Sequence, residues 1–227
     1  MPQALILSGS GRYADPWHPF DETSTVLATL ARQSGWQPTI IHDIDQALAQ
    51  GLDGIDLIIV NAGDPWRNPD ATPDPASEDF DQGRANLDQA LNRGMSILSM
   101  HCGAASLRDY PQYRLALGGE WRPGLSWHPA RTDLHIRPLH DQISEGLCDF
   151  TVNDERYTDL VIDRDVEPLL TTTGDEDEVI VAWANSLGAA RVVYDSLGHD
   201  TGSYDSCGHK SFLRRALTWL SPRDDVN

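Results

Sequence analysis

Four short apolar runs constrain this chain more than any other feature: ALILSG at 4–9, PTIIHD at 38–43, DLIIVNAG at 56–63 and MSILSMH at 95–101. None alternates apolar with polar residues, so a strand formed from each must be covered on both faces, as strands of a parallel sheet are. Helical patterns separate them. DETSTVLATLARQSG has an acidic, Ser/Thr-rich start, an apolar stripe of Val26, Leu27, Leu30 and Ala31, and Gly35 as its stop. SEDFDQGRANLDQALNRG turns Phe80, Leu87 and Leu91 inward and stops at Gly94. The order β-α-β-α-β-α-β predicts an α/β fold with a doubly wound, mostly parallel sheet of flavodoxin-like type.

The second half is β-rich. RTDLHIRP, LLTTT, EVIVAWA and ARVVYDSLG read as shorter strands, and SFLRRALTWLSP as a last helix with Phe212, Leu213, Ala216, Leu217 and Leu220 on one stripe. Trp183 and Trp219 fall in these patterns and are expected in the core. A chain of 227 residues is read as one domain over 1–221, with 222–227 a frayed tail. GDPWRNPDATPDPAS at 63–77 is a Pro-rich loop after the third strand.

With 35 acidic against 17 basic residues, the net charge of -18 argues against nucleic acid or an anionic membrane as partner. A small molecule is the expected partner, and a homo-oligomer is allowed. Three widely spaced cysteines fit neither a disulfide framework nor a zinc knuckle. The N-terminal apolar stretch is too short for a signal peptide, and no segment approaches the roughly 20 apolar residues of a membrane span. A cytoplasmic location is the expectation.

Ligands bind beyond the carboxyl ends of the strands in open α/β sheets, so the residues after each strand carry the functional reading. GSGRYADPWH lacks a complete phosphate-loop pattern and reads as a polar site loop carrying Arg12 and His18 as substrate-binding residues. His101 and Cys102 share the corner after the fourth strand, and LGHDTGSYD brings His199, Asp200 and Tyr204 to the same edge. His128 precedes a proline at a strand entry, whereas His135 and His140 are expected in structural or surface roles. In NDERYTDL, Asp154 and Glu155 adjoin Tyr157, and composition does not say which carboxylate faces inward. Loop tryptophans at 17, 66, 121 and 127 could stack on sugar faces, with Trp66 and Trp127 taken as substrate-binding.

MHCGA, GGEWRPGLSWHP, RPLHDQISEGLCDFTVNDERY and GAARVVYDSLGHDTGSYDSCGHKSFLRRALTWL together resemble the ThuA-like family, trehalose-utilisation relatives of the class I glutamine amidotransferases. The resemblance implies the amidotransferase-like sheet. In that wider fold the nucleophilic cysteine stands two residues before the corner glycine; counting back from Gly103 reaches His101, and Cys102 falls one position late. GHDTG puts His199 near the place of the wider fold's catalytic base without the accompanying glutamate, so no glutaminase is expected. The resemblance favours Glu155 over Asp154. It implies a site of His101, His128, Glu155 and His199, acting as acid/base groups or as ligands of a divalent metal such as zinc. The implied role is in carbohydrate catabolism, as an isomerase or hydrolase of a sugar or oxidised sugar derivative; the alternative is a non-catalytic sugar-binding or accessory protein.

Overall fold

A computed structural model describes residues 1–67, 78–139, 141–175 and 177–222. Most of the Pro-rich loop, His140 and the tail from 223 onward lie outside the described residues. Strands β1 (Gln3–Ser8), β2 (Gln37–Ile41), β3 (Leu57–Asn61) and β4 (Ser96–Met100) are the four apolar runs. Helices α1 (Phe20–Gln33), α2 (Ile44–Gln50) and α3 (Glu78–Asn92) connect them. The chain continues through α4 (Pro111–Leu117), β5 (Gly119–Glu120), β6 (Thr132–Pro138), β7 (Phe150–Asp154), β8 (Val161–Ile162), β9 (Glu167–Thr173), β10 (Glu178–Leu187), β11 (Ala190–Asp195) and α5 (Cys207–Trp219).

One nine-stranded sheet runs in the order β2-β1-β3-β4-β11-β10-β9-β6-β7. From β2 to β11 the neighbours are parallel, and from β11 to β7 they are antiparallel. The return half therefore widens the same sheet, and β10, at 10 residues, is its longest strand rather than a short one.

Alternate residues of β1 serve two cores. Ala4 and Ile6 pack with α1 and α5 through Leu27, Leu30, Phe212 and Leu213, while Leu5 and Leu7 pack with α2, α3 and α4 through Leu48, Leu87 and Tyr113. β3 and β4 are buried at every residue, which is why their sequences do not alternate. Trp183 is fully buried; Trp219 is half-buried beneath the Arg191 guanidinium. Among the described residues no helix is long and apolar enough to cross a membrane.

The architecture brings the carboxyl ends of β1, β3, β4 and β11 into one row and sets the end of β7 against the loop leaving β11. Asp154 at the end of β7, fully buried, accepts N–H groups from Gly198 at 2.8 Å and His199 at 3.4 Å and from its own neighbour Glu155 at 2.8 Å. A carboxylate on the antiparallel half thereby anchors the loop leaving β11.

Candidate functional site

β4 ends in a sharp corner. His101 has φ 44°, in the left-handed region where a non-glycine residue is uncommon, and begins a short 3-10 turn, His101–Ala105. Gly103 is required two residues on, because a Cβ there would lie 2.1 Å from Ser99 Oγ. His101 turns the corner, and Cys102 is buried beside it.

The His101 ring is held by its Nδ1, 2.6 Å from the carbonyl of Ser196. A carbonyl only accepts, so Nδ1 carries a proton and Nε2 is turned toward the other side chains of the site. The Tyr157 hydroxyl lies 3.0 Å from that Nε2, and Glu155 Oε2 lies 3.4 Å from it. Burial lifts the Tyr157 pKa well above the usual phenol range, so the hydroxyl keeps its proton.

His18 is fixed in the same way. Asp15 accepts the N–H groups of Trp17 at 2.9 Å and His18 at 3.0 Å, and its other oxygen lies 2.7 Å from His18 Nδ1. The Asp-Pro turn after β1 thus closes on its own histidine and leaves His18 Nε2 facing His101 Nε2 at 3.2 Å. Burial, together with the neighbouring His101 and His199, lowers the His18 pKa against the pull of Asp15. Burial opposes the Asp15 charge too, but the His18 bond and the backbone donors hold its pKa below the ordinary value.

His199 and Glu155 complete the floor. His199 Nδ1 is buried without a hydrogen-bond partner, 3.4 Å from Glu155 Oε1 and poorly aligned to it. The adjacent carboxylate raises the His199 pKa more than burial lowers it. Burial works against ionisation of Glu155, yet His101 and His199 hold it well below the usual carboxylate range. Donor atoms from His18, His101, Glu155 and His199 all lie within 4.8 Å of one another. His18, Glu155 and His199 line the floor of a cavity of about 600 Å³, with His101 buried directly behind them and Trp17, Asp64, Arg67, Trp121 and His128 as its walls.

The structure brings together His101, His128, Glu155 and His199, and adds His18 at their centre rather than at a substrate-binding periphery. His128 stands at the rim, 39 % exposed, with Nδ1 3.6 Å from Glu155 Oε1. The adjacent carboxylates divide the work: Glu155 faces the cavity, and Asp154 braces backbone.

Five expected substrate contacts lie elsewhere. Arg12 is buried against Asp45 and Asp109, at 2.7 and 2.5 Å, because a guanidinium below the surface needs paired carboxylates. Trp66 turns away to donate its indole N–H to Asp109, and Trp127 donates to Asp159 and lines a separate, neighbouring pocket. Asp200 pairs with Arg131 and caps the 3-10 turn Thr201–Asp205. Tyr204 is buried and stacked on His209. Of the four loop tryptophans, Trp17 and Trp121 reach the cavity. Asp15 and Tyr157 are functional neighbours that sequence reasoning did not assign; an aspartate three residues before His18 was the available signal.

Cys102 Sγ touches the His18 ring at 3.4 Å and Tyr157 Oη at 3.5 Å. Burial pushes its thiol far up, so it is no thiolate near neutral pH. Cys102→Ser is expected to change turnover by less than about threefold, and iodoacetamide is expected to leave the wild type active. A tenfold loss in the serine variant would return the thiol to the chemistry.

A family model for ThuA, described as trehalose utilisation, matches residues 3–220. No curated protein matches the chain by sequence. Among solved structures, a ThuA-like protein from Parabacteroides merdae superposes with a TM-score of 0.74 at 14 % identity, covering 96 % of this chain and 88 % of that one. A ThuA-like protein from Bacteroides uniformis gives 0.70 at 18 % identity, covering 98 % and 92 %. PurLQS from Thermotoga maritima gives 0.55 at 15 % identity, covering 97 % and 99 %. At these identities the structural likenesses establish the fold, which is amidotransferase-like.

Proposed function

The chain belongs to the ThuA family, and from that premise we propose that it acts in carbohydrate catabolism on a sugar or oxidised sugar derivative, as an isomerase or hydrolase. One observation carries the reading: three imidazoles and a carboxylate converge on the floor of a cavity with two tryptophans in its wall. Tryptophan faces suit the apolar faces of a sugar ring, and Arg67, whose guanidinium lies 4.9 Å from the centre of the Trp17 ring, offers hydrogen bonds to hydroxyls.

The chemistry the floor can perform is stabilisation of charge on a carbonyl or hydroxyl oxygen while a proton moves nearby. His128 is placed to carry that proton, being at the rim, partly exposed and close to Glu155. The test incubates the protein in D₂O with a panel of disaccharides and their carbonyl-bearing oxidised forms, followed by NMR. Isomerisation introduces deuterium at the carbon beside the carbonyl, and hydrolysis releases a monosaccharide. Tight binding with no product from any member would overturn the catalytic reading and leave a sugar-binding protein.

A further inference from the structure

His18 Nε2 and His101 Nε2 face each other at 3.2 Å, while the Nδ1 atoms are taken up by the Asp15 carboxylate and the Ser196 carbonyl, so one cation between the rings can be held by both. We propose that His18, His101, His199 and Glu155 together bind one divalent first-row transition metal ion. The proposal deepens the reading of this cavity as the reaction site and rests on it.

The distances agree with a shared ion. Ligand atoms about 2.0–2.2 Å from one metal stand roughly 3–4 Å from each other. Here His18 Nε2 to His101 Nε2 is 3.2 Å, His101 Nε2 to Glu155 Oε2 is 3.4 Å and His199 Nδ1 to Glu155 Oε1 is 3.4 Å. The unpartnered His199 Nδ1 gains a partner. Asp15 and the Ser196 carbonyl occupy the outer positions that orient metal-bound imidazoles in general.

A second grouping, Asp15, His18 and Cys102, also lies within ligand range of itself. It competes poorly: Asp15 is already engaged by His18 and two backbone N–H groups, and the grouping offers three ligands against four. His128 stays outside the ligand set, with Nδ1 3.0 Å from the Pro129 carbonyl, and is left for proton transfer. Three imidazoles with one carboxylate select zinc, cobalt, iron or manganese over calcium and magnesium, which take oxygen ligands. When bound, such an ion polarises a substrate carbonyl or activates water.

The test uses untagged full-length protein, stripped with a chelator and kept free of sugar. It is titrated with Zn²⁺ by calorimetry and with Co²⁺ by visible absorption. One ion per chain is expected. His18→Ala and His101→Asn should each weaken binding by at least about a hundredfold, and Asp15→Asn, which leaves all four ligands in place, by about 10- to 100-fold. His128→Ala should stay within about threefold of wild type. Far-UV circular dichroism checks each fold, and Asp15→Asn and Glu155→Gln keep the question open to test should a histidine variant not fold. No stoichiometric uptake, or equal uptake by the wild type and these variants, would overturn the site. Turnover by metal-free protein would remove the metal and spare the sugar reading. A metal-loaded protein without activity on any sugar would do the reverse.

Discussion

Replacing Asp195 by alanine is expected to destabilise the protein by about 3–5 kcal/mol, because it leaves the partner of a buried ion pair uncompensated. Asp195 closes β11, and His209 lies on the inner face of α5; both side chains are fully buried, with His209 Nε2 2.8 Å from Asp195 Oδ2. The other ring nitrogen donates to the Ser203 carbonyl at 3.0 Å, so both nitrogens carry protons and the ring is an imidazolium. The second oxygen of Asp195 accepts the Leu197 N–H at 3.0 Å. For a chain of this length the loss corresponds to a fall of roughly 6–20 °C in melting temperature, measured by calorimetry. A fall of under 2 °C would show that the pair is neutral to the fold.

The same pair sets a pH dependence. Burial lowers the His209 pKa, but Asp195 raises it further, and the net folded value lies above the ordinary 6.5. A raised folded value means that the folded state holds the proton more tightly than the unfolded chain does. The stabilisation is therefore complete below about pH 6.5 and fades as pH rises through the folded pKa. Relative to wild type, His209→Gln should lose this alkaline decline in melting temperature. A parallel decline in both proteins would assign it to other groups.

His101→Asn is expected to lower turnover by between about a hundredfold and ten-thousandfold with the fold intact. Asparagine is the informative replacement because the corner has φ 44°, which asparagine tolerates better than alanine does. An alanine variant would mix backbone strain with the loss of the imidazole. His101 meets Ser196, Tyr157, His18 and Glu155 at once, so its removal dismantles the floor of the cavity while leaving the walls. Rates are to be measured on whichever sugar the D₂O panel identifies, with circular dichroism alongside. An asparagine variant within threefold of wild type would exclude His101 from the reaction.

The sheet was legible where burial on both faces writes an unbroken apolar run, as in β1, β3 and β4. β5 and β8, of two residues each, are too short to leave a period, and α4 carries only two turns. His101 and His199 could be read because each follows a strand end, whereas β7 was not foreseen and Glu155 came only from the family resemblance. His18 was placed on the right loop but underrated, since its importance comes from a turn closed by Asp15 and from neighbours more than 80 residues away in the chain. Arg12 misled for the opposite reason: a polar loop residue turned inward, and the carboxylates that hold it come from Asp45 and Asp109. The choice between Asp154 and Glu155 required three dimensions, because neighbours at the end of a strand point to opposite sides.

The cavity has two kinds of boundary. Its floor is tied to strand ends through Asp154, the Ser196 carbonyl and the corner at His101, whereas Trp17, Arg67, Trp121 and His128 are carried by connecting segments. Loops accept insertion and exchange far more readily than the ends of a packed sheet do. The segments that carry Arg67 and Trp121 can therefore be rewritten, changing what the cavity admits, while His101 keeps its place at the end of its strand.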